Sequence, residues 1–429
     1  MRDRWGFDVS TDAAGMRLWD AAVDARLREA PDAADAAQAV LAHDPRLGVA
    51  RALAATTTSR ATTMSRDRLD TDATAQSREL RRAFHDGVSA SGRESSLIQV
   101  LHLRAQRRTA ELADHLVEHL ALYPADPLAL RLVYSTCLAS TDPARRAWSA
   151  DLIERQAAAA PRDSWPTMAA LAFLRAEQHR CQEAAALAHQ ALDIEPACTP
   201  AAHVLLHVHH DTGAAAAGLS LVETWLTKHP HTPRRHFRWH AALHALATGD
   251  LTRARHWTAK EFTAQDVAAR SSLNWRLHLT GQDPAAPLSA EDARALLADE
   301  DRAMATVWNA FHIALALAVA GDAEGLDRLA RHARRRNRPA YADVLAPAVD
   351  ALALLLRGQP GQAAGLLAGL RHRVWLLGLT RPEAEILEDT LARALSADDR
   401  PDEAAELLHH RMDTRTTHAY ERMLCTALS

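Results

Sequence analysis

The sequence predicts an all-α fold, a tetratricopeptide-like α-solenoid of stacked antiparallel helical hairpins, and three observations predict it. Apolar residues recur with helical spacing along nearly the whole chain, and no segment alternates with period two for long enough to make a strand. Pro161, Pro196 and Pro230 fall 35 and 34 residues apart, each closing a helical hairpin, and this is the period of a tetratricopeptide unit. Ala is abundant while Gly (16), Tyr (4) and Phe (6) are scarce in 429 residues, a balance that favours helix over sheet.

Taken in order, residues 14–29 and 33–43 form a first helical pair. Asp44-Pro45 closes it, and Pro45 opens the next helix, 45–55, because the first helical position has no use for its N–H. Residues 56–76 are poor in large apolar groups and rich in Thr, Ser and Asp, so they read as a loop. Helical pattern resumes at 77–87, 94–107, 109–122, 126–139 and 143–159. The clearest repeats span 161–263. Leu171 and Ala172 take the packing positions of a first helix there, and Ala184 and Ala191 the small positions of a second. The following unit sets Leu205, Gly218, Trp225 and Pro230 in register, and small residues at such places let helices approach closely. Further hairpins are expected at 233–247/250–263, 266–280/289–298, 302–320/323–335, 339–357/360–370 and 372–377/381–396, then a helix over 401–424. Gly249, Gly281, Gly321 and Gly358 supply the helix exits. The chain reads as one superhelical domain, 1–429.

Charge and composition exclude several functions. Lys plus Arg (50) against Asp plus Glu (54) leaves a formal charge of −4, so no net basic field is available for a nucleic acid or an anionic membrane. Cys137, Cys181, Cys198 and Cys425 show no C-x-x-C pairing, which argues against a thiolate zinc site or a secreted disulfide framework. The first residues lack the apolar core of a signal peptide, and no run of about 20 uncharged apolar residues occurs, so a cytoplasmic location is expected. Glycine-rich nucleotide loops, the G-x-S-x-G elbow and H-E-x-x-H are all absent.

The chemistry-bearing feature is a pair of imidazole ladders. His203 and His207 are four residues apart, as are His236 and His240, and residues four apart share one helical face. Both pairs fall on helices of the inner, first-of-hairpin type, as do His312, Glu177 and Asp266. Neighbouring helix axes about 8–10 Å apart let such imidazoles converge. His203, His207, His236 and His240 are therefore candidate ligands for a divalent metal of the zinc or iron type, with Glu177 or Asp211 as ligand or general base. Three readings stay open: a metal or catalytic role, a metal-free polar pocket, and structural packing against backbone carbonyls. His209 and His210 point about 100° apart, so one of them leaves the ladder face. Trp239 and Trp275 would stack on a ligand or fill the groove between hairpins. Arg276 would hold an anion or an inter-helix ion pair, Asn309 and His312 would border the site, and Tyr134 would reach it or pack.

At the histidines the chain resembles the tetratricopeptide repeat protein 38 family. The likeness is carried by Leu18-Trp19-Asp20-Ala21, His43-Asp44-Pro45, Ala172-Phe173 with Glu177, then His203, His207 and His209. It continues with His236, Trp239-His240-Ala241-Ala242-Leu243, Asp266, Trp275-Arg276-Leu277 and Trp308-Asn309-Ala310-Phe311-His312. The chain departs from that family at His210, where a Glu is usual, and at Phe237, where an Asn is. It departs again at Ala310-Phe311, where Asp-Ala is usual, and at Glu383-Ala384-Glu385, where Gln-Arg-Asp is. The resemblance implies a divergent member with the solenoid fold and a candidate site, and implies no established activity.

The leading expectation is a His-lined concave pocket for a small molecule, with a bound divalent metal and an enzymatic role in specialised metabolism. There a metal would activate water or a carbonyl while Glu177 or His209 moves a proton. The competing expectation is a non-catalytic adaptor that binds a peptide or partner helix in the same groove. Homo-oligomerisation through the terminal hairpins is compatible with either.

Overall fold

The computed structural model describes residues 1–57, 73–86, 91–106, 108–133, 136, 142–230, 232, 234–263 and 266–426. Regular structure among them is helical, and the one β contact is an isolated bridge between Arg2 and Asp8. The described residues divide into two compact units. One holds those up to residue 205 with 226–232, and the other holds 206–225 with 234–426. The loop expected at 56–76 lies outside the described residues from 58 to 72, as do Tyr134 and Cys137. Its edges are helical, and Thr56 and Thr57 donate their hydroxyls back to the carbonyls of Ala52 and Leu53, which closes a last helical turn.

The first unit is built from five hairpins: α1 (Ala13–Arg28) with α2 (Ala33–His43), α3 (Gly48–Thr57) with α4 (Ala73–Asp86), α5 (Gly92–Ala105) with α6 (Thr109–Leu122), α7 (Pro127–Val133) with α8 (Pro143–Ala159), and α9 (Trp165–Glu177) with α10 (Cys181–Ile194). Local chemistry sets the starts. Ser91 and Glu94 cap α5 reciprocally, and Asp142 followed by Pro143 opens α8. Second helices bury a narrow stripe; α10 buries only Ala184, Ala188 and Ala191, an alanine ridge that lets α9 approach. The segment before α1 folds back on α5. Asp3 lies 3.6 Å from Arg93, and Ser10 donates to Glu94.

The boundary between the units falls inside α11 (Thr199–Asp211) and α12 (Ala215–Lys228). The second unit continues with α13 (Arg234–Thr248), α14 (Leu251–Glu261), α15 (Val267–Leu279), α16 (Ala290–Ala295), α17 (Glu300–Ala303), α18 (Val307–Val319) and α19 (Ala323–Arg335). A π turn at Ala340–Leu345 leads into α20 (Ala346–Leu356), then α21 (Pro360–Leu370), a tighter 3₁₀ stretch at Arg371–Leu377, α22 (Arg381–Ala397), α23 (Pro401–Thr414) and α24 (Ala419–Thr426). First helices begin at Trp165, Thr199, Arg234 and Val267, so the repeat expected from the prolines is the repeat observed.

Two expected helices are broken, each for a visible reason. The 302–320 stretch becomes α17 and α18 because Thr306 caps α18 by accepting from the Asn309 N–H, while the Asn309 amide donates to the carbonyls of Arg302 and Ala303. The 401–424 stretch breaks at Arg415, whose backbone is extended (φ −98°, ψ 144°), and the Thr416 N–H donates to the Thr212 carbonyl instead at 3.0 Å. That break turns the chain so that α24 packs on α13 and α22, while α22 packs on α15. The first helices of this unit are thus covered by its own last helices, and every residue of α15 from Ser271 to Leu277 is buried.

Candidate functional site

In the second unit α11 and α13 face each other through histidines. The rings of His207 and His240 lie 5.0 Å apart, and those of His240 and His236 meet edge-on at 4.8 Å. A further rung extends the ladder: His210 and His244 have ring centres 6.4 Å apart. His244 is fully buried, and neither of its ring nitrogens has a hydrogen-bond partner. It fits because α12 carries Gly218, where a Cβ would stand 2.3 Å from His244 Nε2. Burial, with the neighbouring His236 and His210, pushes His207 down to about 3. Burial likewise lowers His210 and, more strongly, His244. His207, His210 and His244 are therefore uncharged at neutral pH.

The other side of the site is α22, with the turn and helix that follow α23. His210 Nε2 and Glu385 Oε2 are 2.9 Å apart, and Glu385 also accepts from Arg411 and Arg415. Arg411 bridges onward to Asp389, and Arg415 to Glu421 at 2.7 Å. Tyr420 donates its hydroxyl to Asp389 at 3.1 Å, and Arg381 lies 3.2 Å from Asp211. Opposing guanidiniums, Arg415 foremost, outweigh the desolvation that would raise the Glu385 carboxyl and hold it well below its usual range. Pairs this deeply buried add little net stability, yet removing one partner is costly because the other charge stays behind.

Trp275, Trp308, Arg276 and His312 of the first helices converge on α22, while Trp239 reaches the neighbouring first helix α15. Trp275 donates its indole N–H to Thr390, Trp308 to Glu383 and Trp239 to Ser272, at 2.9, 3.0 and 2.9 Å. Arg276 donates to the Pro382 carbonyl and stands 3.9 Å from Asp389, which gives it the ion-pair role. His312 donates from Nδ1 to the Trp308 carbonyl at 2.8 Å, with Nε2 3.9 Å from Glu383. Asp266 sits at the start of α15, accepting from Thr263 and Arg235, and Asn309 joins α17 to α18. His209 leaves the buried face that His210 takes. His203 and Glu177 belong to the first unit, where the His203 ring stacks 6.2 Å from Phe173 and Glu177 is half-buried at the end of α9.

Sequence reasoning missed His244, Glu385, Asp389, Arg411, Arg415, Tyr420 and Glu421. His244 was visible as the next four-residue step after His236 and His240. The α22 carboxylates had a weaker signal, acidic residues set among Ile386, Leu387 and Leu391. Two open depressions mark the first unit. One of about 250 Å³ lies between α6 and α8, lined by Asp114, Val117, Arg145 and Trp148 among others. The second, of about 520 Å³, lies beside Ser10, Asp12 and His43. No predicted site residue lines either.

No family model matches the chain, and no curated protein matches it. Solved structures do. The APC/C hetero-tetramer Cut9–Hcn1 is 11% identical, aligned over 94% of this chain and 87% of that one, with a TM-score of 0.41. Yeast Tom70 is 11% identical over 96% and 86%, with a TM-score of 0.37, and the TPR domain of P58(IPK) 13% identical over 93% and 99%, at 0.22. Likeness at that level transfers no property of those proteins; hairpin pairing with first helices starting every 33 to 35 residues decides the class. The fold is tetratricopeptide-like. Among the described residues, no helix of this tetratricopeptide-like chain is long and apolar enough to cross a membrane.

Proposed function

We propose that the protein is a non-catalytic interaction scaffold that recognises a protein partner through the outward surfaces of its helical hairpins. The observation that carries this reading is the internal engagement of the catalytic-type side chains. Arg276, Arg411, Arg415, Glu385, Trp275 and Trp308 all bond to other side chains or to backbone of the chain itself. The first-helix face of the second unit is likewise covered by α22 and α24. The depression between α6 and α8, with half-buried Trp148 beside Asp114 and Arg145, is the contact we assign to a partner peptide, since an aromatic rimmed by both charge signs suits an anchor residue. Among the described residues, the thiols of Cys198 and Cys425 form no disulfide, which supports action in a reducing compartment such as the cytoplasm. Membership of the tetratricopeptide repeat protein 38 family, as a divergent branch, is supported by three tryptophans of that likeness, Trp239, Trp275 and Trp308, buried on successive first helices.

The test is selection of binding peptides from a displayed library on the purified protein. Peptides whose binding is lost with Trp148→Ala and kept with His207→Ala are expected. Failure to select any peptide, or selected binding that depends on His207, would turn the reading toward a small-molecule site at the ladder.

A further inference from the structure

We propose that Arg26, Arg104 and Arg131 form an anion site on the first helices of the first unit that takes a phosphate monoester, carried by a partner peptide or by a small molecule. The three residues come from α1, α5 and α7, and each lies in the last turn of its helix. Carbonyl ends favour a cation there, which gathers the guanidiniums before any ligand arrives. α1 packs directly on α7, so residues 102 apart in the sequence meet, and Arg131 donates to Glu29 at 2.7 Å. The site shares no residue with the depression between α6 and α8.

The charges in this cluster do not balance. Arg26 is half-buried, and among the described residues no carboxylate pairs with it. Burial, then the like charges of Arg131 and Arg104, act against the Arg26 charge, and only Glu29 favours it. Glu29 is already the acceptor for Arg131. Asp24, two residues before Arg26, is taken by Arg4, and Glu195 is taken by Arg28 at 3.6 Å. The Nε of Arg131 is buried and has no acceptor either. A guanidinium stays protonated at every physiological pH, so the repulsion cannot be relieved by losing a proton. An unmatched charge out of water is costly, and a bound anion removes that cost. Three guanidiniums against one carboxylate leave two positive charges, which matches a phosphate monoester of about −1.5 to −2 near neutral pH. The planar fork of each arginine also pairs two N–H donors with two phosphate oxygens.

The experiment dialyses the full chain to equilibrium against radiolabelled inorganic phosphate at physiological ionic strength. In parallel the chain is applied to an array of phosphoserine and phosphothreonine peptides beside their unphosphorylated twins. One equivalent of phosphate is expected. Arg26→Gln should weaken it by about 10- to 100-fold, as the loss of hydrogen bonds to a charged group does, whereas Trp148→Ala should leave it unchanged. Arg26→Gln removes no ion pair of the protein, so it stays informative should Arg131→Gln, which strands Glu29, fail to fold. Peptides bound only when phosphorylated, and displaced by free phosphate, would place the group on a partner. Phosphate bound without any such peptide would place it on a small molecule, and either result upholds the site. A folded wild-type chain that takes up neither probe overturns it, as does phosphate binding retained at full strength in folded Arg26→Gln.

Discussion

The two units bury charge by the same device and finish it differently. In the first, the segment before α1 brings Asp3 against Arg93, which also pairs with Asp126 at 2.7 Å, beside the fully buried His119. In the second, the segment after α23 brings Arg415, Tyr420 and Glu421 against α22, beside the equally buried His244. His119 is bonded at both nitrogens, to Ser96 at 2.8 Å and Asp126 at 3.1 Å, whereas His244 is bonded at neither. A buried histidine is thus no signal in itself. What distinguishes the second unit is an imidazole whose surroundings were not built to satisfy it.

The largest expected effect comes from cutting either network at its hub. Glu385→Gln leaves Arg411 and Arg415 short of charge and should cost about 3–5 kcal/mol, and Asp126→Asn in the first unit should cost a similar amount by denaturant titration. A loss under about 1 kcal/mol in one and not the other would show that the two networks are not equivalent. Next comes the histidine contrast itself. Without added metal, His119→Leu should destabilise by about 1–3 kcal/mol because Asp126 and Ser96 lose a partner, while His244→Leu should be neutral or stabilising. Equal losses would place hidden partners around His244.

Gly218→Ala is expected to cost about 1–3 kcal/mol by driving a Cβ into the His244 ring. Most of that should return in the double variant with His244→Ala, and a purely additive cycle would remove the steric link. The smallest effect is acid sensitivity. His207, His210 and His244 have folded values below the unfolded 6.5, so the unfolded chain takes up protons first and stability falls as pH drops from about 6.5 toward 3. Glu385 adds a loss below its unfolded 4.5. In the first unit Asp3 is raised, mainly by burial, and so gains as pH falls, opposing Asp126, which Arg93 and His119 lower. Hydrogen exchange between pH 7.5 and 5.5 should therefore show α11 and α13 losing protection before α5 and α7. Simultaneous loss would contradict these assignments.

How much of this was legible in the sequence follows from the range of each interaction. The hairpins were, because Pro161, Pro196 and Pro230 punctuate them and helical periodicity is local. So was the α11–α13 ladder, since His236 and His240 share a face by spacing alone. Glu385 was not, because its partner His210 lies 175 residues away and nothing in either neighbourhood names the other. The inward tryptophans could be placed on first helices, while Thr390 and Glu383 as their acceptors depend on how α22 comes back. The break at Arg415 was hidden for the same reason: its cause is the carbonyl of Thr212, distant in the chain.

That contact between Thr416 and Thr212, whose hydroxyl arm spans 204 residues of sequence, has a consequence for biosynthesis. A repeat protein usually completes each hairpin against the one just made. At a ribosome adding about 5–20 residues per second, α11 would wait roughly 10–40 s before the segment that covers it emerges. During that interval the nascent chain displays an uncovered face of imidazoles and indoles, the species a chaperone would hold.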